Sequence, residues 1–196
     1  MPDHGRLLTL LAERSARQGH FILASGREST LYIDARLTTM SPDGLALIGP
    51  LALQALQDAT WNISAIGGLT LGADPLSYAI SYASASTAHP LRAFTVRKEA
   101  KIHGTGKLIE GPFHTGDRVA VIEDVITTGG SALRAIQAIR IAGGIVCGVL
   151  ALVDREEGGR ESIQADGTPV IALTLASDIV ARMASMAAAA DSGISS

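Results

Sequence analysis

"RVAVIEDVITTGGSALRAIQAIR", residues 118–140, decides how the rest of this chain is read. Its first part is an apolar, β-branched run that ends on two acids, Glu123 and Asp124. A turn of hydroxyls and glycines follows, and from Ala132 onward apolar residues recur at helical spacing. Strand, glycine-rich turn and helix in that order is the unit from which parallel sheets covered by helices are assembled.

The same rhythm extends outward. Short apolar runs stand at "ISAIGG" (63–68), "RAFTVRK" (92–98), "GIVCGVLALVD" (144–154) and "PVIALTL" (169–175), with helical stretches at 74–82 and 131–142. Continuous rather than alternating apolar strands imply a sheet covered on both faces, in which ligands bind beyond the carboxyl ends of the strands. Before residue 60 the pattern changes. Leu7, Leu8, Leu10 and Leu11 mark a first helix expected to end near Gln18 and Gly19. A second helix is predicted over 42–58, with Ser41 as N-cap and Pro42 in its first turn. The intervening "FILASGRESTLYIDAR" leans towards strand around Leu31, Tyr32 and Ile33. Residues 1–60 are therefore expected to form helices and a hood appended to a core at 61–180, and the alanine-rich residues 181–196 a loose tail.

Composition narrows the class. A chain of 196 residues that is 47% hydrophobic, with 21 glycines, suits one α/β domain with many tight turns. A net charge of −3 argues against a nucleic-acid surface but permits a local basic patch for a small polyanion. The single cysteine, Cys147, lies in an apolar run and reads as a small core residue, which excludes an internal disulfide and fits a reducing compartment. The leucine-rich start lacks a signal-peptide core, and no run reaches the roughly 18 apolar residues of a membrane span, so the expectation is a cytoplasmic protein.

The turn after the acid pair carries the chemistry. Thr127, Thr128, Gly129, Gly130 and Ser131 let the backbone wrap closely, add hydroxyl donors and lead into unpaired helix N-terminal amides, which together suit a phosphate monoester. Glu123 and Asp124 repel an anion but accept hydrogen bonds from vicinal hydroxyls, so turn and acids together suit a ribose 5-phosphate. A strand ending in acids before a glycine turn is also an ordinary connection. A Walker loop is excluded, because "KIHGTGKL" has Lys101 where the first glycine belongs and Leu108 where Ser or Thr should follow the Gly-Lys pair; the Rossmann fingerprint is missing too. The other anomaly is "VRKEAKIHGTGK" (96–107), which holds all three lysines, Lys98, Lys101 and Lys107, whereas the thirteen arginines are spread along the chain. Compact mobile charges are gathered in one window.

These segments resemble a known family. The acid pair with "VITTGGS" is similar to the 5-phosphoribosyl 1-diphosphate (PRPP) motif of type I phosphoribosyltransferases, and "RKEAKIHG" to the mobile catalytic loop of orotate phosphoribosyltransferases. "LASGRESTLYID" resembles that family's orotate-side hood and "VDREEGG" its strand-end arginine segment; with "GGLTLGADP" the matches span residues 21–160.

The resemblance implies a type I phosphoribosyltransferase fold, α/β, with a central mostly parallel sheet flanked by helices and a small N-terminal hood. It implies that Glu123 and Asp124 hold the ribose hydroxyls, with Val125, Ile126 and the turn 127–131 completing the PRPP site. Arg97, Lys98, Lys101 and His103 would meet the diphosphate, Lys101 and His103 as catalytic residues on a loop that closes over the neighbouring subunit's site in a homodimer. Thr127 and Arg155 would contact orotate, and the turn 69–72 would lie beside the diphosphate. Mg²⁺ would be carried in by PRPP, with no dedicated protein ligands.

Two departures stand out: Ala24 before "SGR" and Leu71-Gly72 in the diphosphate turn occupy positions where some relatives carry lysine. The substrates implied are PRPP and orotate, with no nucleic acid and no membrane. A phosphoribosyltransferase for another base and a PRPP-sensing regulator are the alternatives. His20, His89 and His114 read as turn or capping residues, Trp61 as packing, and Lys107 as solvated.

Overall fold

The computed structural model describes residues 3–22, 28–99 and 108–192. Helix α1 (His4–Leu10) runs into a π-helical turn (Leu11–Ser15), and strands β1 (Ala16–Ile22) and β2 (Glu28–Ile33) pair antiparallel as a separate ribbon. The first helix therefore ends at Ser15, short of the expected Gln18. Its apolar stripe stops there, and the Ser15 carbonyl is taken by the Asp34 amide as the chain turns into the ribbon. After α2 (Arg36–Thr39), α3 (Pro42–Asp58) starts where predicted, with the Ser41 hydroxyl accepting from the Gly44 amide at 3.2 Å.

The main sheet contains β3 (Ala65–Leu69), β4 (Arg92–Val96), β5 (Ile109–Glu110), β6 (Arg118–Ile126), β7 (Ile145–Asp154) and β8 (Val170–Leu175). Its order is β5-β4-β3-β6-β7-β8, parallel throughout except for the short antiparallel edge β5. Helices α4 (Ala73–Ser84), α5 (Gly130–Ile141) and α6 (Gly159–Ala165) connect the strands, and α7 (Ala176–Ser192) closes the described chain.

Alternation along the strands explains their unbroken apolar character. Ala120 and Ile122 of β6 face one core with Leu7, Ile48, Leu76 and Ile80, whereas Val119 and Val121 face a second core with Ile136, Ile139 and Ile163. The first core takes in α1 and α3 and, through Ala16, Leu31 and Ile33, the β1–β2 ribbon, which is hydrogen-bonded as a sheet of its own. Residues 181–192 are helical where a loose tail was expected, because Ile179, Val180, Met183 and Met186 recur at helical spacing against that same core. Cys147, expected in the core, is only half-buried near the start of β7. Trp61 packs against the core as expected, and His20 lies on β1, 3.4 Å from Glu28, rather than in a turn. No helix among the described residues is long and apolar enough to cross a membrane.

From β3 the chain passes to β4 on one side and then returns across β3 to β6 on the other. The connection reverses direction between β3 and β6, and at such a switch point the loops after the two strands diverge and open a crevice. Two sequence features singled out above, the turn 69–72 and the turn 127–131, are these two loops.

Candidate active site

The end of β6 is the hub. On one side, Glu123 and the turn 127–131 line a cavity of about 350 Å³. The turn takes its shape from Gly129, whose φ of 82° puts it in the left-handed region as the N-cap of α5. No side chain caps this helix, so its first amides are left facing the cavity with partial positive charge. The turn is packed from behind: a Cβ on Gly129 would lie 2.8 Å from the Gly159 carbonyl at the start of α6. Among the described residues the cavity also takes in Arg134, which the sequence reading passed over.

Glu123 is buried, and its Oε2 has no hydrogen-bond partner. Burial pushes this carboxyl well above the usual range, the adjacent Asp124 charge adds to the rise, and Arg134 partly offsets it. Asp124, the next residue along the strand, brings its side chain close enough to act on Glu123 as a hydrogen-bonding neighbour as well as a charge. Its carboxylate accepts from the Val125 amide at 2.9 Å and presses against Gly72, where an added Cβ would be 2.5 Å from it. Asp124 thus stands between Glu123, which lines the cavity, and the turn 69–72. Ile126 is buried in the second core, and its carbonyl accepts from the Arg155 amide.

Beyond Gly72 a second cavity, of about 610 Å³, is lined by Thr70, Asp74, Tyr78, Thr95, Arg97 and Lys98. Asp74 holds the turn in place by accepting from the hydroxyls of Thr70 at 2.6 Å and Thr95 at 2.8 Å. Arg97 is half-buried and stands 3.5 Å from Glu110, while Lys98 is exposed. Lys101, His103 and Lys107 lie outside the described residues, as do Ala24 and Arg27 of the hood.

A third group meets under the ribbon. Arg155, just past the end of β7 beside the cradle, is buried, and its Nη2 donates to the Leu31 carbonyl at 2.9 Å, to Ser29 Oγ at 3.1 Å and to Glu157 at 2.6 Å. It ties hood strand β2 to the end of β7. Arg36 of the same region is paired with Asp34 at 2.7 Å. Among the described residues no three His, Cys, Asp or Glu side chains group as a metal site.

A parallel sheet with an uncapped glycine turn and an acid pair at its switch point defines a type I phosphoribosyltransferase. Relatives sharpen this. An orotate phosphoribosyltransferase of Aquifex aeolicus (strain VF5) is 45% identical over 183 residues, 92% of this chain and 99% of the relative. The crystal structure of Mycobacterium tuberculosis H37Rv orotate phosphoribosyltransferase in complex with PRPP superposes with a TM-score of 0.74 at 40% identity, covering 91% of this chain and 99% of that one. Leishmania donovani UMP synthase matches 93% of this chain, and 38% of its own, with a TM-score of 0.80 at 29% identity. No protein-family model matches. The chain belongs to the orotate phosphoribosyltransferase family.

Proposed function

We propose that this enzyme holds PRPP with its 5-phosphate on the turn 127–131, its ribose across Glu123 and Asp124, and its diphosphate in the cavity under Arg97 and Lys98. The family reaction transfers the 5-phosphoribosyl group from PRPP to orotate, giving orotidine 5'-monophosphate and diphosphate, a step of de novo pyrimidine and UMP biosynthesis. The observation that carries the placement is Glu123: a buried carboxyl with an unpartnered oxygen on the wall of a cavity floored by free helix amides. Such an oxygen is costly without a partner, and a ribose hydroxyl supplies one.

In the transfer, positive charge grows on the ribosyl ring and negative charge on the departing diphosphate. Cations against the leaving group act on what exists only in the transition state, which is how binding energy becomes rate. Arg97 and Lys98 supply fixed charge there. Lys101 and His103, outside the described residues, are proposed as the catalytic pair, stabilising or protonating the diphosphate from a closing loop. Arg155 and Thr127 are proposed for orotate. The Arg155 guanidinium, already fixed by three oxygens, suits the base's carboxylate.

Carboxylate and hydroxyl oxygens suit a hard cation, and the acid pair offers at most one or two of the six ligands Mg²⁺ takes, leaving the rest to PRPP oxygens and water. Asp124 is the residue best placed to hold it. Mg²⁺ brought in with PRPP would supply charge neutralisation at the diphosphate.

A second copy of this chain is proposed to cover the apolar groove between α3 and α4, lined by Met40, Leu45, Pro50, Leu71 and Tyr78, with Tyr82 86% exposed at its rim. That groove shares Asp74 and Tyr78 with the diphosphate cavity, so a partner there stands within reach of the site. A cytoplasmic setting fits the single cysteine and the PRPP chemistry. Asp124→Asn is expected to raise the PRPP dissociation constant at least about tenfold, the range of one charge-assisted hydrogen bond, by equilibrium titration. An unaltered constant would argue against the ribose assignment.

A further inference from the structure

Arg134 is the one cationic residue among the described residues lining the 127–131 cavity, and none of the binding roles above uses it. It forms no hydrogen bond or ion pair with any described residue. It is exposed on α5, yet its charge is felt by Glu123, which lines the same cavity.

Helix geometry explains how it arrives there. Residues three and four apart share a helix face, so Arg134 stands one turn above Ser131 and Gly130. Side chains on a helix lean towards its N-terminus, which carries the guanidinium back over the uncapped first turn, where an anion would sit. The long three-methylene stem and a fork of donors match two oxygens of a phosphate.

The charge balance of the cavity gives this arm a purpose. Backbone amides and hydroxyls recognise the shape of a phosphate but carry no full charge, and the other ionisable side chain lining the cavity among the described residues is an acid, Glu123. A cradle of that kind would discriminate weakly between a phosphate dianion and a neutral group.

We propose that Arg134 is the charge-selecting residue of the cradle: it pairs with the 5-phosphate dianion and makes the site prefer a phosphorylated pentose to an unphosphorylated one. This rests on the placement of the 5-phosphate on the turn 127–131.

The test compares wild type, Arg134→Gln, Arg134→Lys and Ser131→Ala by calorimetric titration with ribose 5-phosphate, ribose and inorganic diphosphate. Arg134→Gln is expected to weaken ribose 5-phosphate binding about ten- to a hundredfold, the range of a charge-assisted hydrogen bond to phosphate, and to leave diphosphate affinity within twofold. Arg134→Lys should recover part of the loss, because it restores the charge without the fork. Because Arg134 is exposed and bonded to no described residue, folding should be unaffected, which the melting temperature checks. If Arg134→Gln binds ribose 5-phosphate as wild type does while Ser131→Ala does not, the inference fails and the cradle stands. If neither variant weakens binding, the cradle placement fails with it. Equal loss for ribose 5-phosphate and diphosphate would also overturn the inference, since it would mean general rather than site-directed electrostatics.

Discussion

Glu123 carries its site's cost in the empty enzyme. Its folded-state proton affinity lies above the ordinary value near 4.5, because burial disfavours the charged form and Asp124 stands next to it. For a group shifted upward, the unfolded chain gives up its proton first, so stability is full below the unfolded value and is lost as pH rises from there towards the folded value. Glu123→Gln keeps the shape and cannot ionise. The variant is therefore expected to melt higher than wild type at pH 7, with the difference vanishing as the pH falls to the ordinary carboxyl range. A thermal melt series across that range checks this; equal melting temperatures at pH 7 would show that the buried carboxyl is not strained. The same substitution should weaken PRPP, since strain relieved by substrate is strain held for it.

At the scale of elements, the turn between β6 and α5 depends on Gly129. At φ 82°, with the Gly159 carbonyl 2.8 Å from where a Cβ would stand, the turn has no room for a side chain. Gly129→Ala is expected to cost about 1–3 kcal/mol in urea unfolding and to weaken ribose 5-phosphate binding. Unchanged stability would mean the turn can shift without loss. This turn was readable in the sequence because strand, acids, glycines and helix are contiguous there, and the runs at 63–68 and 144–154 read as strands because β3 and most of β7 are buried on both faces, while β4 and β8, partly half-buried, still kept enough β-branched and apolar residues to be seen. Local pattern failed where tertiary packing decides. The ribbon strand β1 has mostly exposed residues in "ARQGHFI" and gains its form from pairing with β2, so it read as the end of a helix. Helix α7 read as loose because its alanines say little without the core they cover. Arg134 went unread as a site residue because nothing in one sequence marks which exposed arginine faces a cavity.

At the scale of the whole molecule, the reversal of strand order between β3 and β6 brings three distant segments to one crevice: the turn 69–72, the cradle 127–131 and, one strand over, Arg155 holding the hood. Each binds a different part of the proposed pair of substrates, so their order along the crevice sets the order of diphosphate, ribosyl phosphate and base. The exposed apolar groove between α3 and α4 adjoins the diphosphate end, which gives a second copy of the chain a route to the same chemistry. The measurement that tests this most directly is PRPP-dependent consumption of a base, followed with orotate, uracil, adenine and hypoxanthine in turn, with Mg²⁺ present, for wild type and Asp124→Asn. The expected result is orotidine 5'-monophosphate and diphosphate in equal amounts from orotate alone, with the variant needing at least about tenfold more PRPP for the same rate. Turnover of another base in preference to orotate, or a variant indistinguishable from wild type in its PRPP dependence, would contradict it.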